Sequence, residues 1–341
     1  MLSYPKRFID GTFKIVPRSY RQLLIIIIYH TQLKCYLPAC FILMSHKSKA
    51  AYEYAFRNLF LICRNLDIKL NPEFIMCDFE AALRKGIIEI FPKAQIVGCY
   101  FHYCKALWSY MSHNSLTTKE RLNDSIKLMV FLKILAHIEI SERKSLFQGI
   151  KDLFEKKDKG YKEMLAYYQK NWLDSYFVEP MDIGEGEEDA LLIARTNNIC
   201  EFYNHYLNNK IGVTFPRLAI LVDHLLDEEL NIREYIMKAT VDMTLEPHLP
   251  RGFVVKEDEL PIGSLSKLLQ EKKNQKYDLR STFQEKQFLA ACTVLVEKCY
   301  QVMLVTNSDN QDVYNDQLAI EEAEIQEERK NEVANGNLFI I

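Results

Sequence analysis

The 341-residue chain is 48% hydrophobic and 26% charged with a net charge of −3, enough apolar material for one large domain with an insertion, or for two domains. Its longest purely apolar run, Leu23 to Tyr29, is far shorter than the roughly 20 residues of a bilayer-spanning helix, so no membrane span is expected. Nine irregularly spaced cysteines (Cys35, Cys40, Cys63, Cys77, Cys99, Cys104, Cys200, Cys292, Cys299) argue against a disulfide framework or a paired zinc ribbon. The first residues, with Lys6, Arg7 and Asp10 close together, do not read as a secretory leader, so these cysteines are expected to be free thiols, most of them in the core.

The charge is uneven. Residues 306–341 hold nine acidic and two basic residues, a net of −7, which leaves residues 1–305 at +4. A mildly basic body can accept an anionic partner, but a charge of this size bears on association and not on a specific activity.

In chain order, Arg7-Phe8-Ile9-Asp10-Gly11-Thr12-Phe13 places an acid and a glycine after a short apolar segment, which predicts a strand ending at Asp10 and a tight turn. Leu23–Tyr29 and Leu33–Met44 are apolar, β-branched or aromatic runs parted by His30-Thr31-Gln32, which predicts a hairpin and an antiparallel three-strand opening. From Lys49 to Leu66, Tyr52, Ala55, Phe56, Leu59, Phe60 and Cys63 recur at the spacing of an amphipathic helix that covers a sheet. Asn71-Pro72 breaks it, and Phe74–Cys77 is the short continuous apolar run of a buried parallel strand, ended by Asp78. A helix over 80–91 through Leu83, Ile87 and Ile90 is closed by Pro92, and a strand follows at Gln95–Cys99.

Strand–strand–strand–helix–strand–helix–strand fits an α/β fold: a mixed sheet with a hairpin on one side and right-handed crossovers on the other, as in RNase H-like nuclease cores. Periodicity alone leaves that architecture one candidate among several. Beyond His102 the pattern is helical, with one stripe through Leu122, Ile126, Val130, Ile134 and Ile138 and another through Leu146, Ile150, Leu153 and Phe154. The acidic Glu179–Asp189 stretch reads as a loop, and Ala194–Asn209 as a helix with Glu201 in its middle. Thr214-Phe215-Pro216 opens another helix through Leu218, Leu221, Val222 and Leu225; residues 263–305 add two more, and Asn307–Asn337 has the composition of a disordered or loosely helical segment. The expected organisation is therefore a first part of the core over 1–104, a helical insertion over 105–193, the last core helices with a third acid over 194–240, a C-terminal helical region over 241–305 and an acidic tail over 306–341.

Acids at the ends of neighbouring strands project into a shared crevice, so Asp10 and Asp78 can face one divalent cation, with Glu201 from a helix completing the site. Carboxylate oxygens suit Mg²⁺ or Mn²⁺, and two such ions about 3.5–4 Å apart stabilise both the attacking and the leaving oxygen of an in-line phosphoryl displacement. The ordinary alternative is that Asp10 caps a turn and Asp78 caps the helix after it, and spacing by itself favours that alternative.

Taken in order, four pieces of the chain resemble the Mutator-like element (MULE) transposases, over approximately residues 5–230. The family's first acid lies in a stretch like Phe8-Ile9-Asp10-Gly11-Thr12-Phe13, and its second in one like Ile75-Met76-Cys77-Asp78-Phe79-Glu80-Ala81-Ala82. Its next strand and Cys-x-x-His element look like Ile96-Val97-Gly98-Cys99-Tyr100-Phe101-His102, and its last acid lies in a stretch like Arg195-Thr196-Asn197-Asn198-Ile199-Cys200-Glu201. The resemblance implies that Asp10, Asp78 and Glu201 are the metal-binding triad, holding two Mg²⁺ (or Mn²⁺) ions. It also implies strand cleavage and transfer on transposon-end and target DNA, with water and then a DNA 3′ hydroxyl as nucleophiles, in the nucleus and with a homo-oligomer as a possible assembly.

Several residues near these motifs carry two readings. Cys99 and His102 supply only two zinc ligands and Cys104 adds no obvious partner pair, so zinc is not expected; a buried strand-end cysteine and a helix histidine that supports the site or contacts DNA is the plainer reading. Lys6, Arg7, Lys14, Arg18 and Arg21 surround the first acid and are candidates for DNA phosphate contacts, against the commoner reading of a solvated surface. Trp172, Tyr167, Tyr168 and Tyr176 have the spacing of core packing more than of a base-stacking platform.

The sequence also departs from the family. Members usually carry an upstream DNA-binding region that recognises the element's ends, whereas here the catalytic strand begins near Met1, and no zinc-finger spacing follows residue 230. The acidic Glu185-Gly186-Glu187-Glu188-Asp189 stands where the family often has a tryptophan-containing segment. Three readings stay open: an active transposase core, a truncated remnant, and a transposase-derived protein that binds DNA or protein partners without catalysis.

Overall fold

The first strand, β1 (Lys6–Thr12), pairs antiparallel with β2 (Gln22–His30), which pairs antiparallel with β3 (Cys35–Met44). This is the three-strand opening expected from the apolar runs. The computed structural model describes residues 6–174 except 31, 34, 137 and 139, together with 198–242, 245 and 338–340. Strand β1 does not end at Asp10, as the sequence suggests, but continues to Thr12, because β2 pairs with it as far as Thr12↔Leu23. Gly11 accordingly serves no turn: a Cβ there would lie 2.7 Å from Gln22 Oε1, so the glycine makes room for a buried side chain of the neighbouring strand.

Strand β3 tolerates Pro38 through a bulge. The register passes from Ile26↔Cys40 to Ile27↔Pro38 and leaves Ala39 exposed, so the residue without an N–H sits where the ladder is already interrupted. Helix α1 (Lys49–Asn65) begins where Ser48 Oγ accepts from the Ala51 N–H, and it buries Tyr52, Ala55, Phe56 and Leu59 at helical spacing; Phe60, expected on the same face, is exposed. Strand β4 (Phe74–Cys77) then adds parallel to β1, helix α2 (Ala81–Ile90) crosses back, and β5 (Gln95–Gly98) adds parallel to β4. Helix α3 (Tyr100–His113) follows at once.

Leu338–Ile340, within the segment expected to be an acidic tail, forms a sixth strand, β6, antiparallel to β3. The sheet order is β5-β4-β1-β2-β3-β6, so the fold is a mixed α/β sheet with helices. On one face Ile9, Leu24, Ile26, Cys40 and Ile42 pack with Tyr52, Phe56, Leu83, Ile87 and Phe91 of the α1 and α2 layer. Helix α7 (Asn198–Ile211) packs on the opposite face of β1, and helix α8 (Leu218–Val241) packs Ile232 against Cys35 and Leu37 of β3. Glu201 lies in the first turn of the described part of α7, which starts at Asn198; residues 194–197 of the expected helix lie outside the described residues. Helix α7 stops where Gly212 turns left-handed (φ 68°), and α8 begins only at Leu218, two residues beyond Pro216.

The residues fall into two compact units. The first holds the chain up to Tyr103 with α7, α8 and β6; the second starts at Cys104 and is helical throughout its described part. In the second unit α4 (Leu122–Leu135), α5 (Ile140–Phe154) and α6 (Lys159–Tyr168) are followed by a π-helical turn, Gln169–Leu173. Ile138 lies past the end of α4, and Leu153 is exposed instead of joining the α5 stripe, whereas Trp172 and Tyr168 are buried as expected of core aromatics. The seven cysteines among the described residues are thiols outside any disulfide, and no helix among those residues is long and apolar enough to cross a membrane. The expected loop at 179–189, the helices over 263–305, the acidic stretch 307–337 and Tyr176 lie outside the described residues.

Candidate functional site

Side chains alternate across a strand, and that alternation places the first acid. Ile9 belongs to the core under α1, so Phe8, Asp10 and Thr12 point to the opposite face, where α7 lies. The same argument holds in β4, where Ile75 and Cys77 face α1 and the following Asp78 turns the other way. The parallel registers Phe8↔Met76 and Cys77↔Gly98, continued by one or two residues, bring Asp10, Asp78 and Cys99 to one level at the ends of three adjacent strands. Adjacent strands are about 4.8 Å apart, so these side chains are close neighbours despite their separation in sequence.

Helix α7 brings the rest. Cys200, Tyr203, Leu207 and Ile211 are buried, while Glu201 and Asn204, three residues apart on one face, reach the strand ends. Asn204 Nδ2 donates to Asp10 Oδ2 at 2.9 Å, and the amide's Oδ1 is buried with no donor among the described residues. Asn204 escaped the sequence analysis; its three-residue offset from Glu201 was the available signal. Asp10 is buried, and its carboxyl is held well above the usual range by burial first, then by the negative charges of Asp78 and Glu201; the Gly11 N–H and the Asn204 amide oppose the shift. An acid raised by two other acids marks a point where negative charge converges.

Asp78 shapes a turn, as the ordinary reading expects, and also lies beside Asp10. Its Oδ1 accepts from the Glu80 N–H at 3.1 Å, shaping the entry to α2, while the residue faces Asp10. Arg84 of α2 is buried and fixes this corner: its Nε donates to the Asp78 carbonyl at 2.8 Å, and its guanidinium stacks 4.1 Å from the Phe79 ring centre. Gly98 is required here, since a Cβ would lie 2.4 Å from Phe79 Cζ. Lys47, also missed by sequence, pairs with Glu80 at 3.3 Å; burial raises Glu80, and Lys47 pulls it back down.

Cys99 and His102 join the same site. Cys99 is buried, with its N–H donating to the Cys77 carbonyl at 2.9 Å, and His102 Nε2 lies 3.8 Å from Glu201 Oε1. Ligand atoms of Cys99, His102 and Glu201 all lie within 4.8 Å of one another. Neighbouring Cys200 is buried and its thiol is pushed well up, first by burial and then by the charges of Asp10, Cys99 and Glu201.

The basic residues around Asp10 divide. Lys14 and Arg18 are exposed, Arg18 lying over the Phe215 ring at 5.7 Å, and Arg21 is half-buried. Arg7 is buried beside Cys63 and alternates with Asp10 to the α1 face, so it does not share a surface with the acids. Lys6 lies in β1, and its side chain is outside the description.

The fold and site therefore define an α/β core with three acids, an asparagine and a Cys-x-x-His element gathered at the ends of its parallel strands. Residues 7–106 match the family model described as MULE transposase domain, the family that the motifs around Asp10, Asp78 and Cys99 resemble. The match includes Asp10, Asp78, Cys99 and His102; Glu201 and Asn204 are added by the structure. No curated protein matches the chain.

Proposed function

We propose that the first unit is an RNase H-like catalytic core of a MULE-type DNA transposase, with Asp10, Asp78 and Glu201 holding two Mg²⁺ (or Mn²⁺) ions. The strand order β5-β4-β1-β2-β3, with only β2 running against the others, supports the architecture. One observation carries the site: Asp10 is buried at the point where the charges of Asp78 and Glu201 meet. Three carboxylate donors suit a hard cation, which would offset the mutual repulsion that the Gly11 N–H and the Asn204 amide only partly oppose. When bound, the ions supply charge stabilisation to the attacking and leaving oxygens of a phosphoryl transfer and lower the pKa of a nucleophilic water.

The protein's share is positioning. Asn204 holds one oxygen of Asp10 and thereby orients the other toward its neighbours, while the Arg84 bond to the Asp78 carbonyl and the Gly98 cradle fix the second acid. The exposure of Lys14 and Arg18, on the segment that follows β1, supports their reading as contacts to DNA phosphates. On this reading the partner is transposon-end and target DNA, the working form includes a homo-oligomer, and the site of action is the nucleus.

The test is nicking and strand transfer by the full chain on DNA bearing the element's terminal repeats, with and without Mg²⁺, beside Asp10→Ala, Asp78→Ala and Glu201→Ala at equal folded content. Activity that requires the metal and is lost in each variant supports the reading. Folded wild-type protein that stays inactive when an end-binding domain is supplied, or activity that survives these substitutions, overturns it in favour of a non-catalytic, transposase-derived role.

A further inference from the structure

We propose that Cys99, His102 and Glu201 form a binding site for a thiophilic divalent cation, with zinc as the physiological candidate. The sequence offers only the two ligands of a Cys-x-x-His, and on that ground argues against zinc; the fold supplies a third from α7. Ligand atoms of the three residues lie within 4.8 Å of one another, and His102 Nε2 approaches Glu201 Oε1 to 3.8 Å. Bonds of about 2.0–2.3 Å in a tetrahedral site put ligand atoms about 3.3–3.8 Å apart, so side-chain rotations that draw them together by roughly 1 Å complete the geometry.

The donor set sets this site apart from the one proposed for Mg²⁺. Sulfur, imidazole nitrogen and carboxylate oxygen together select zinc or cobalt over magnesium, and three protein ligands with a fourth position open is the pattern of exchangeable and catalytic zinc sites. The backbone of Cys99 is held on both sides, its N–H donating to the Cys77 carbonyl of β4 and its carbonyl accepting the Tyr103 N–H, and His102 follows in the first turn of α3. Binding displaces the Cys99 thiol proton to solvent, leaving thiolate, neutral imidazole and carboxylate around the dication. Because Glu201 serves both sites, zinc and magnesium compete, and zinc switches the nuclease off; this last consequence rests on the proposed transposase reading.

The experiment is a Co²⁺ titration of the full chain followed by absorption spectroscopy, with Zn²⁺ as competitor. A thiolate-to-cobalt charge-transfer band and tetrahedral d–d bands are expected at one equivalent, both removed by Zn²⁺. Cys99→Ser and Cys99→Ala should each abolish the charge-transfer band, and His102→Ala and Glu201→Gln should each weaken zinc binding by more than about 100-fold, since even outer-shell losses cost 10–100-fold. Asp10→Asn should leave the band in place. Absence of the band in folded wild-type protein, or its survival in both Cys99 variants with unchanged circular dichroism, overturns the site. Magnesium-dependent nicking without cobalt binding overturns this inference alone, and a normal cobalt spectrum without nicking counts against the transposase reading alone.

Discussion

Buried polar groups serve opposite ends in the two units. In the helical unit three such groups bond backbone carbonyls: Ser125 Oγ donates to the Leu116 carbonyl, Tyr161 OH donates to the Arg121 carbonyl at 3.1 Å, and Arg143 donates to the Ile138 carbonyl at 3.1 Å. In the sheet unit Asp10, Asp78 and Glu201 converge, and burial and like charge both oppose ionisation of Asp10. A polar group that satisfies its neighbours reports on folding. A set that opposes itself, held by a rigid sheet, reports on a ligand.

The sharpest way to break this contrast is to neutralise one member of each kind. On the proposed transposase reading, Asp10→Asn should lower metal-dependent cleavage by at least about 10³-fold, since losing a metal ligand would remove several kcal/mol of charge stabilisation. The same change should raise thermal stability, by on the order of 1 kcal/mol, the usual size of a coupling between neighbouring side chains, because the Asn204 donor keeps an acceptor while the repulsion disappears. Arg143→Met in the helical unit should do the reverse, costing about 2–4 kcal/mol by stranding the Ile138 carbonyl while leaving the chemistry of the sheet unit intact. Denaturation midpoints and nicking rates on both variants decide the matter. A destabilised Asp10→Asn would put Asp10 among the ordinary structural groups.

Much of the fold was legible in local pattern. Continuous apolar runs gave β2, β3 and β4, and the Tyr52–Leu59 spacing gave α1, because these elements bury a face fixed by their own periodicity. The strand carrying Asp10 was misread at its end, since Gly11 looks like a turn residue until Gln22 of the next strand is seen to occupy its Cβ space. Arg7 was misread for a related reason: proximity in sequence to Asp10 suggested a shared surface, but one step along a strand reverses the face. The pairing of Asn204 with Asp10 spans 194 residues, and no local pattern carries a contact of that separation.

Gly98 sharpens the comparison at intermediate scale. Gly98→Ala places a methyl 2.4 Å from Phe79 Cζ and 2.7 Å from an Arg84 guanidinium nitrogen, where Arg84 is buried and Phe79 half-buried. Overpacking of this kind costs about 1–3 kcal/mol. The displaced Arg84 also releases the Asp78 carbonyl, so cleavage should fall along with stability, in contrast to Arg143→Met, where only stability falls. If Gly98→Ala melts early but cleaves at the wild-type rate, the Arg84 corner contributes to folding alone.

The smallest effect comes from a buried polar group of the sheet unit that behaves like those of the helical one. His30 ends β2, and its Nδ1 accepts the Leu33 N–H at 3.2 Å, a bond that requires an unprotonated nitrogen. Burial lowers its pKa below the ordinary histidine value, so the folded state keeps the ring neutral over a range in which the unfolded chain takes up a proton. Stability is therefore full above the ordinary value and is lost as pH falls from there toward the depressed folded value, with no further loss from this group below it. Asp10, with its raised carboxyl, tilts stability the opposite way in both proteins, so the readout is the difference: urea midpoints measured between about pH 5 and 7.5 should fall more on the acid side in the wild type than in His30→Gln, which keeps an acceptor but does not titrate. Magnesium alters the slope of both proteins through Asp10, but it should leave the difference in slope between wild type and His30→Gln unchanged, because His30 ends the hairpin strand and not the set of converging acids; a difference that magnesium abolishes would tie the hairpin to the acids and erase the distinction.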